Sequence, residues 1–250
     1  MPNYFQNFQA VGYRFGDNEA PVLFDNLTQY VDIIDSMKDQ ISFYNKYTIV
    51  SGERPDTLSY ELYGTTDYYW TFFLMNDHLR LSGWPVNTED LLDIIKSKYP
   101  YQVITTSDDI ANSFPVGQTV TGTPSGTTGK IIARRLDLGQ LIIDTGGDTF
   151  GDRSNNESIS YTDAEGSLFR ASVYGTSAQY NAVHHYEDTD GNHVDIDPHD
   201  QANIGSSLIP VTFRDRVEER NEELKEIVVL KTEVIERVVS EFNKSLLSES

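Results

Sequence analysis

The sequence predicts an α+β protein built in parts. These are an N-terminal arm and helix (1–40), a strand-and-helix unit with a following helix (41–105), a small antiparallel β domain (113–205) and a C-terminal strand and helix (210–250). Three observations predict this. Apolar residues recur at helical spacing in several stretches between Leu27 and Ile95. Between Phe114 and Tyr174 that period vanishes, glycine becomes dense, and turn signals return every ten residues or so. From Pro210 the chain becomes charged and periodic again.

Residues 1–24 carry Tyr4, Phe5, Phe8, Tyr13, Phe15 and Phe24 without a period, the pattern of an arm that lies on something else. Asp25 or Asn26 can cap a helix bearing Leu27, Tyr30, Val31, Ile34 and Met37. "ISFYNKYTIV" (41–50) is β-branched and aromatic and reads as a strand. Pro55 and Asp56 open a helix through Leu58, Leu62 and Tyr63, and Gly64 closes it. Asp67 can cap a second helix, "YYWTFFLMN". A third begins at Thr88, with Glu89 and Asp90 in its first turn, and Pro100 ends it.

The β segment holds "GQTVTG", "GKIIARR", "QLIIDTGG" and "SLFRASVYG", short runs that suit a small barrel or sandwich. At the C-terminus Ile227-Val228-Val229-Leu230 form a β-branched knot. Thr232 can cap a helix with Val234, Ile235, Val238, Val239, Phe242 and Leu246 on a wide apolar stripe. That stripe fits docking on the chain's own first domain or on another subunit.

Composition excludes several classes of function. With 39 acids against 19 bases the formal charge is −20, which repels phosphate and disfavours nucleic acid and anionic membrane faces as partners. No apolar run approaches the ~20 residues that span a bilayer. The first twenty residues lack the basic and apolar regions of a signal peptide, so a soluble, intracellular product is expected. The absence of cysteine removes disulfides and thiolate chemistry.

Residues 47–77 concentrate aromatic surface: Tyr47, Tyr60, Tyr63, Tyr68, Tyr69, Trp70, Phe72 and Phe73. The second helix is apolar on every side, and such a helix is buried on every side. Three uses stay open for it: contact with a partner protein, a glycan site that combines polar groups with ring faces, or internal core.

Two motifs resolve into ordinary turns. "GTPSGTTGK" (122–130) lacks the phosphate-loop spacing, since Pro124 stands where glycine is needed and Ile131 where a hydroxyl is needed. A glycine turn between strands is the better account. "HHYEDTDGNHVDIDPHD" could place His185, Asp188 and Asp195 on a divalent metal. Its rival is a hairpin turning at Asp190-Gly191. No nucleophile elbow, zinc-protease motif or distinguished carboxylate pair occurs, so no catalytic residue is assigned. His78 reads as structural.

The run "YTIVSG…TLSYELYG…LMND" resembles the LysM module, a small βααβ fold known for binding N-acetylglucosamine polymers. The matching residues are Tyr47, Gly52, Arg54, Pro55, Asp56, Leu58, Ser59, Gly64 and Asn76, with "ERPD" lengthening the turn before the first helix. The narrower run Arg54-Pro55-Asp56, Leu58-Ser59, Leu62-Tyr63-Gly64, Tyr68-Tyr69-Trp70 and Asn76 resembles the LysM-like segment of a baseplate wedge protein of T-even-like contractile-tailed bacteriophages. That resemblance covers about residues 1–100. It implies a non-enzymatic structural subunit without cofactors, made in the host cytoplasm and located in the virion's tail baseplate. It would join other wedge and tail proteins, in several copies, in a symmetric assembly. The expected partner contacts are Tyr4, Phe5, Phe8, Tyr63, Tyr68, Tyr69, Trp70, Phe72, Phe73 and Trp84. The alternative is a peptidoglycan-binding module of a tail-associated protein. A muramidase-like hydrolase is the third reading.

Overall fold

The computed structural model describes residues 10–16, 20–25, 43–201, 204–205 and 207–248. The helix expected through Met37 lies outside the described residues. The chain divides into two compact units, Met1–Thr88 with Arg220–Ser250, and Glu89–Glu219.

In the arm, strands β1 (Ala10–Tyr13) and β2 (Val22–Asp25) pair antiparallel as a two-stranded sheet. Each has four residues, too short for alternation to announce it in the sequence. Strand β3 (Tyr44–Thr48) follows where the β-branched run predicts it. Helix α1 (Pro55–Tyr63) has proline in its first turn, where no N–H is missed, and Asp56 near its positive end. Gly64, at φ 73°, closes it in the left-handed region. Helix α2 spans Trp70–Met75. It starts two residues later than an Asp67 cap predicts. Thr66–Tyr68 form a 3₁₀ turn instead, and Thr65 Oγ1 accepts from the Asp67 N–H at 3.2 Å, so threonine is the cap. Helix α3 (Asp77–Ser82) is absent from the sequence reading, because six residues give too few turns to show a period. Helix α4 (Thr88–Lys98) begins and ends as predicted.

The unit Glu89–Glu219 is a filled barrel. Its strands are β4 (Gln102–Thr105), β5 (Thr119–Thr123), β6 (Thr128–Arg135), β7 (Gln140–Asp144), β8 (Ser158–Thr162), β9 (Leu168–Ser172) and β10 (Gly175–Ala178). They form one antiparallel sheet in the order β10-β4-β7-β6-β5-β8-β9. Its two ends are one continuous run of chain. The Val173 N–H donates to Glu157 O and the next, of Tyr174, to Thr105 O, so 168–178 leaves β8 and joins β4. This run thus bridges the two ends of the sheet and closes it. Ile104, Val120, Ile131, Leu141, Ile143 and Ile159 fill the interior, with Phe114 and Phe150 closing it.

The expected glycine turn connects β5 to β6. Its inward glycines are steric: a Cβ on Gly122 would strike the Glu157 carboxylate, and one on Gly129 would lie 2.9 Å from Asp144 O. Strand β7 is buried on both faces. Its outer face, with Ile142, lies under Ala182 and Phe213. That covering layer is a second sheet, in the order β12-β11-β13, of β11 (Val183–Glu187), β12 (His193–Val194) and β13 (Ile209–Thr212). The β11–β12 hairpin turns over Asp190-Gly191, as the dipeptide predicts. Helix α5 (Phe213–Glu223) follows β13 without a loop.

The chain then returns to the first unit. The buried Asn221 amide donates to Val86 O (2.9 Å) and accepts from Val86 N–H (2.8 Å), which ties the returning helix to the departing chain. Strand β14 (Glu226–Leu230) pairs antiparallel with β3, from Thr48↔Glu226 to Tyr44↔Leu230. Ile227 and Val229 pack with Ile49, Leu58, Phe72 and Leu79. On the other side Leu230 meets Met75, Ile235 and Val238 of helix α6 (Thr232–Ser248). The β-branched knot is therefore a strand covered on both faces. Its outer edge is held by Asn76, which is 5% exposed. The Asn76 Nδ2 donates to Val228 O (2.9 Å) and to Phe72 O (2.8 Å), and its Oδ1 accepts from Val228 N–H (2.8 Å).

Replacing Asn76 by Leu keeps the volume but leaves the Val228 N–H and C=O buried without partners. The expected loss is about 2–4 kcal/mol, since each orphaned buried group costs about 1–3. Urea unfolding of the full chain, followed by tryptophan fluorescence, measures it.

Candidate functional site

The aromatic segment of the first unit is built around Phe72, which is fully covered. Tyr63 stacks on Phe72 at 6.1 Å and meets Tyr68 edge-on at 6.0 Å. Trp84 lies 6.0 Å from Phe72 and 5.8 Å from Phe73. Trp70 points away from these rings and contacts Phe242 of α6 at 4.9 Å. Helix α2 is apolar on every side because two parts of its own chain flank it: Ile227 and Val229 on one side, Leu230 and α6 on the other. The C-terminal segment supplies part of that covering: Phe72 is fully covered, while Tyr63, Tyr68, Trp70, Phe73 and Trp84 are half-buried. Of the ten expected contact residues, Tyr69 is the described one that stays open, at 40% exposure. Tyr4, Phe5 and Phe8 lie outside the described residues.

The polar tips of these rings are committed to the backbone. The Tyr63 hydroxyl donates to Leu230 O at 2.9 Å, and burial raises its pKa. The Trp84 Nε1–H donates to Glu53 O at 2.7 Å. Glu53 also accepts from the Tyr47 hydroxyl (2.9 Å) and the Val50 N–H (3.0 Å). Burial, then the hydrogen bond and charge of Glu53, push the Tyr47 phenol up to about 12. The lengthened "ERPD" turn is thus fixed by one carboxylate between a phenol and a backbone amide.

The other residues of the LysM-like pattern fall into local structural roles. Gly52 supplies a turn at φ 83°. Arg54 pairs with Asp56 at 3.0 Å across the start of α1. Leu58 is fully covered in the core. The buried Ser59 donates its hydroxyl to Thr65 O at 2.7 Å.

The metal candidates do not converge. His185 Nε2 is 2.8 Å from Glu187 Oε1. Asp188 accepts from the Asn192 and Asp190 N–H groups, each at 2.9 Å, and these bonds hold its carboxyl below the usual range. Asp195 lies 3.8 Å from His193. Among the described residues, no three His, Asp or Glu side chains are disposed to hold a metal ion.

Exposed aromatic surface gathers elsewhere, on the β1–β2 hairpin. Tyr13, Phe15, Leu23 and Phe24 are 47–70% exposed. Phe15 meets Tyr13 at 5.1 Å and Phe24 at 6.1 Å. The sequence reading placed aromatics in this arm but missed the pairing of "AVGY" with "VLFD", the signal that would have located this surface.

One family model matches the N-terminal part of the chain, from the first unit into the second. Residues 5–115 match a family of baseplate components, which supports a structural subunit located in the tail baseplate of the virion. The family model is described as Base plate wedge protein 53, and it bears out the resemblance carried by "RPD", "LYG" and "YYW". No curated protein matches the chain. A structural family of this kind suggests a non-enzymatic protein.

Phe72→Ala removes a fully covered ring from the centre of the cluster and is expected to cost about 3–5 kcal/mol. Tyr69→Ala is expected to stay within about 0.5 kcal/mol of the parent. Denaturant midpoints of the two variants, compared with the parent, test this division of the segment into core and surface.

Proposed function

We propose that the chain is a joining subunit of the baseplate wedge, present in several copies, that docks on neighbouring wedge or tail proteins through its β1–β2 hairpin. The exposed rings of Tyr13, Phe15 and Phe24 carry this reading. A two-stranded hairpin is marginal in water by itself and becomes durable when an apolar face is covered. Ring faces removed from water contribute about 25 cal/mol per Å², the kind of stabilisation permanent interfaces use. Net charge keeps the free subunit soluble while that face waits for its partner. Tyr69 is a secondary contact candidate, whereas Tyr63, Phe72 and Trp84 support the joint by holding the first unit together.

We further propose that β3, α1, α2 and β14 form a LysM-like βααβ unit. Its second strand comes from the C-terminal element 210–250, and the β domain (113–205) is an insertion within it. The Asn221–Val86 clamp favours this, because an inserted domain leaves and re-enters its host at adjacent points. The glycan reading needs ring faces open to a saccharide. Phe72 has none, and the Trp84 N–H is already spent on Glu53, so no observation favours that alternative.

Phe15→Ser combined with Phe24→Ser is expected to leave a soluble, folded chain whose incorporation into tails falls at least about tenfold, because the apolar area that drives docking is lost. Purified particles, quantified by immunoblot after infection with the double variant, give the measurement. Parental incorporation of a folded variant would overturn the joint.

A further inference from the structure

The second sheet carries a chain of hydrogen bonds that the baseplate role does not use. It runs Arg216, His184, His185, Glu187. Arg216 Nη1 lies 2.7 Å from His184 Nε2, His184 Nδ1 lies 3.0 Å from His185 Nδ1, and His185 Nε2 lies 2.8 Å from Glu187 Oε1. Consecutive strand residues ordinarily point to opposite faces, so two adjacent histidines should not touch. Here the β11–β13 register slips between Val183 and His185, and this irregularity lets the two rings meet edge to face.

The guanidinium decides every proton in the chain. Arginine has donors and no acceptor, so His184 Nε2 must be the acceptor and be bare. A neutral His184 then carries its proton on Nδ1 and donates to His185 Nδ1. His185 in turn keeps its proton on Nε2 and donates to Glu187. Each donor finds an acceptor only while both imidazoles are neutral. A proton on His184 Nε2 would face the Arg216 N–H. A proton on His185 Nδ1 would face the His184 N–H, and relieving that by switching the His184 tautomer would break its bond to Arg216.

We propose that the His184–His185 pair is an acid-operated latch that fastens the first turn of α5 to strand β11 and lets go of Arg216 when His184 is protonated. The elements packed against the pair reinforce it. Arg135 and Arg216 both oppose a positive His184, and Asp137, paired with Arg135 at 3.0 Å, opposes them only in part. Phe213 covers His184 edge-on at 5.0 Å, and His193, near Asp195, stacks on His185 at 5.2 Å. On α5 itself the acidic group nearest the latch in sequence is Asp215. It is occupied with Thr212, accepting from its N–H at 2.8 Å and from its hydroxyl at 2.7 Å. Burial first, then the two arginines and His185, lower the His184 pKa from 6.5 to about 4. The unfolded chain therefore takes up this proton at a higher pH than the folded one. The latch contribution is complete above about pH 6.5 and is lost as pH falls toward about 4.

Two measurements on the full chain test the latch. Long-range ¹⁵N–¹H spectra of the imidazoles at about pH 7 should show His184 protonated at Nδ1 and His185 at Nε2. His184→Gln keeps an acceptor for Arg216 and a donor for His185 but cannot titrate. Its melting temperature at about pH 7 should match the parent, and the drop between about pH 7 and 4.5 should be smaller than the parent's by roughly 2–4 °C. A His184 protonated at Nε2 at neutral pH would overturn the proposal, as would an equal acid loss in parent and variant. Should the variant not fold, the tautomers of the parent decide alone.

Discussion

The first unit depends on one strand arriving from the far end of the chain. Without Glu226–Leu230, β3 has no partner strand, and α1, α2 and α3 have no apolar surface to close on. Side-chain amides secure this arrival. Asn76 satisfies both backbone groups of Val228, and Asn221 satisfies both backbone groups of Val86. An amide carries a donor and an acceptor at the spacing of a neighbouring strand, so one asparagine ends a strand edge without another strand. Both asparagines are 5% exposed, and at that depth an unpaired amide would be costly. The entropic cost of closing so long a loop rises only logarithmically with its length. A whole barrel can therefore lie between Val86 and Asn221 at little extra cost to the unit it interrupts.

The barrel solves its own edge problem differently. Its last run of chain pairs first with β8 and then with β4, so closure needs no capping side chain. The taper of so small a barrel is met by inward glycines beside isoleucines: Gly122 below Glu157, Gly129 against Ile143. Glu157 itself is nearly covered and accepts from the Ser125 N–H and hydroxyl, which fastens the β5–β6 turn to the next strand. In the glycine-rich "GTPSGTTGK", Gly122 and Gly129 answer this crowding, whereas Gly126 turns at φ 73° with open space around it.

Much of the architecture was legible because it is written in short-range signals. Pro55 with Gly64 bounds α1, Thr88 with Pro100 bounds α4, and Asp190-Gly191 turns the β11–β12 hairpin. What escaped was either too short to carry a period or non-local. Helix α3 and the strands β1 and β2 are four to six residues long. The knot at 227–230 stands out by composition, but nothing local says that its neighbour is Tyr44–Thr48. The reading of the aromatic segment met the same limit. The all-apolar helix at 70–75 correctly demanded cover on every side, yet the sequence could not say whether the cover was another protein or Val229 and Phe242.

Ring content alone therefore does not separate a joint from a core. Phe72 and Phe15 are the same side chain in the same chain, one fully covered and the other 68% exposed. The difference lies in how many apolar partners the fold delivers to each. Around Phe72 two chain segments and two flanking helices converge. Among the described residues, the hairpin offers Phe15 the rings of Tyr13 and Phe24. A chain with 39 acidic residues can keep such a face in water without aggregating, since like charges hold copies apart until a shape-matched neighbour removes it from solvent. The covered rings hold the first unit together, and the proposed joint rests on the bare ones.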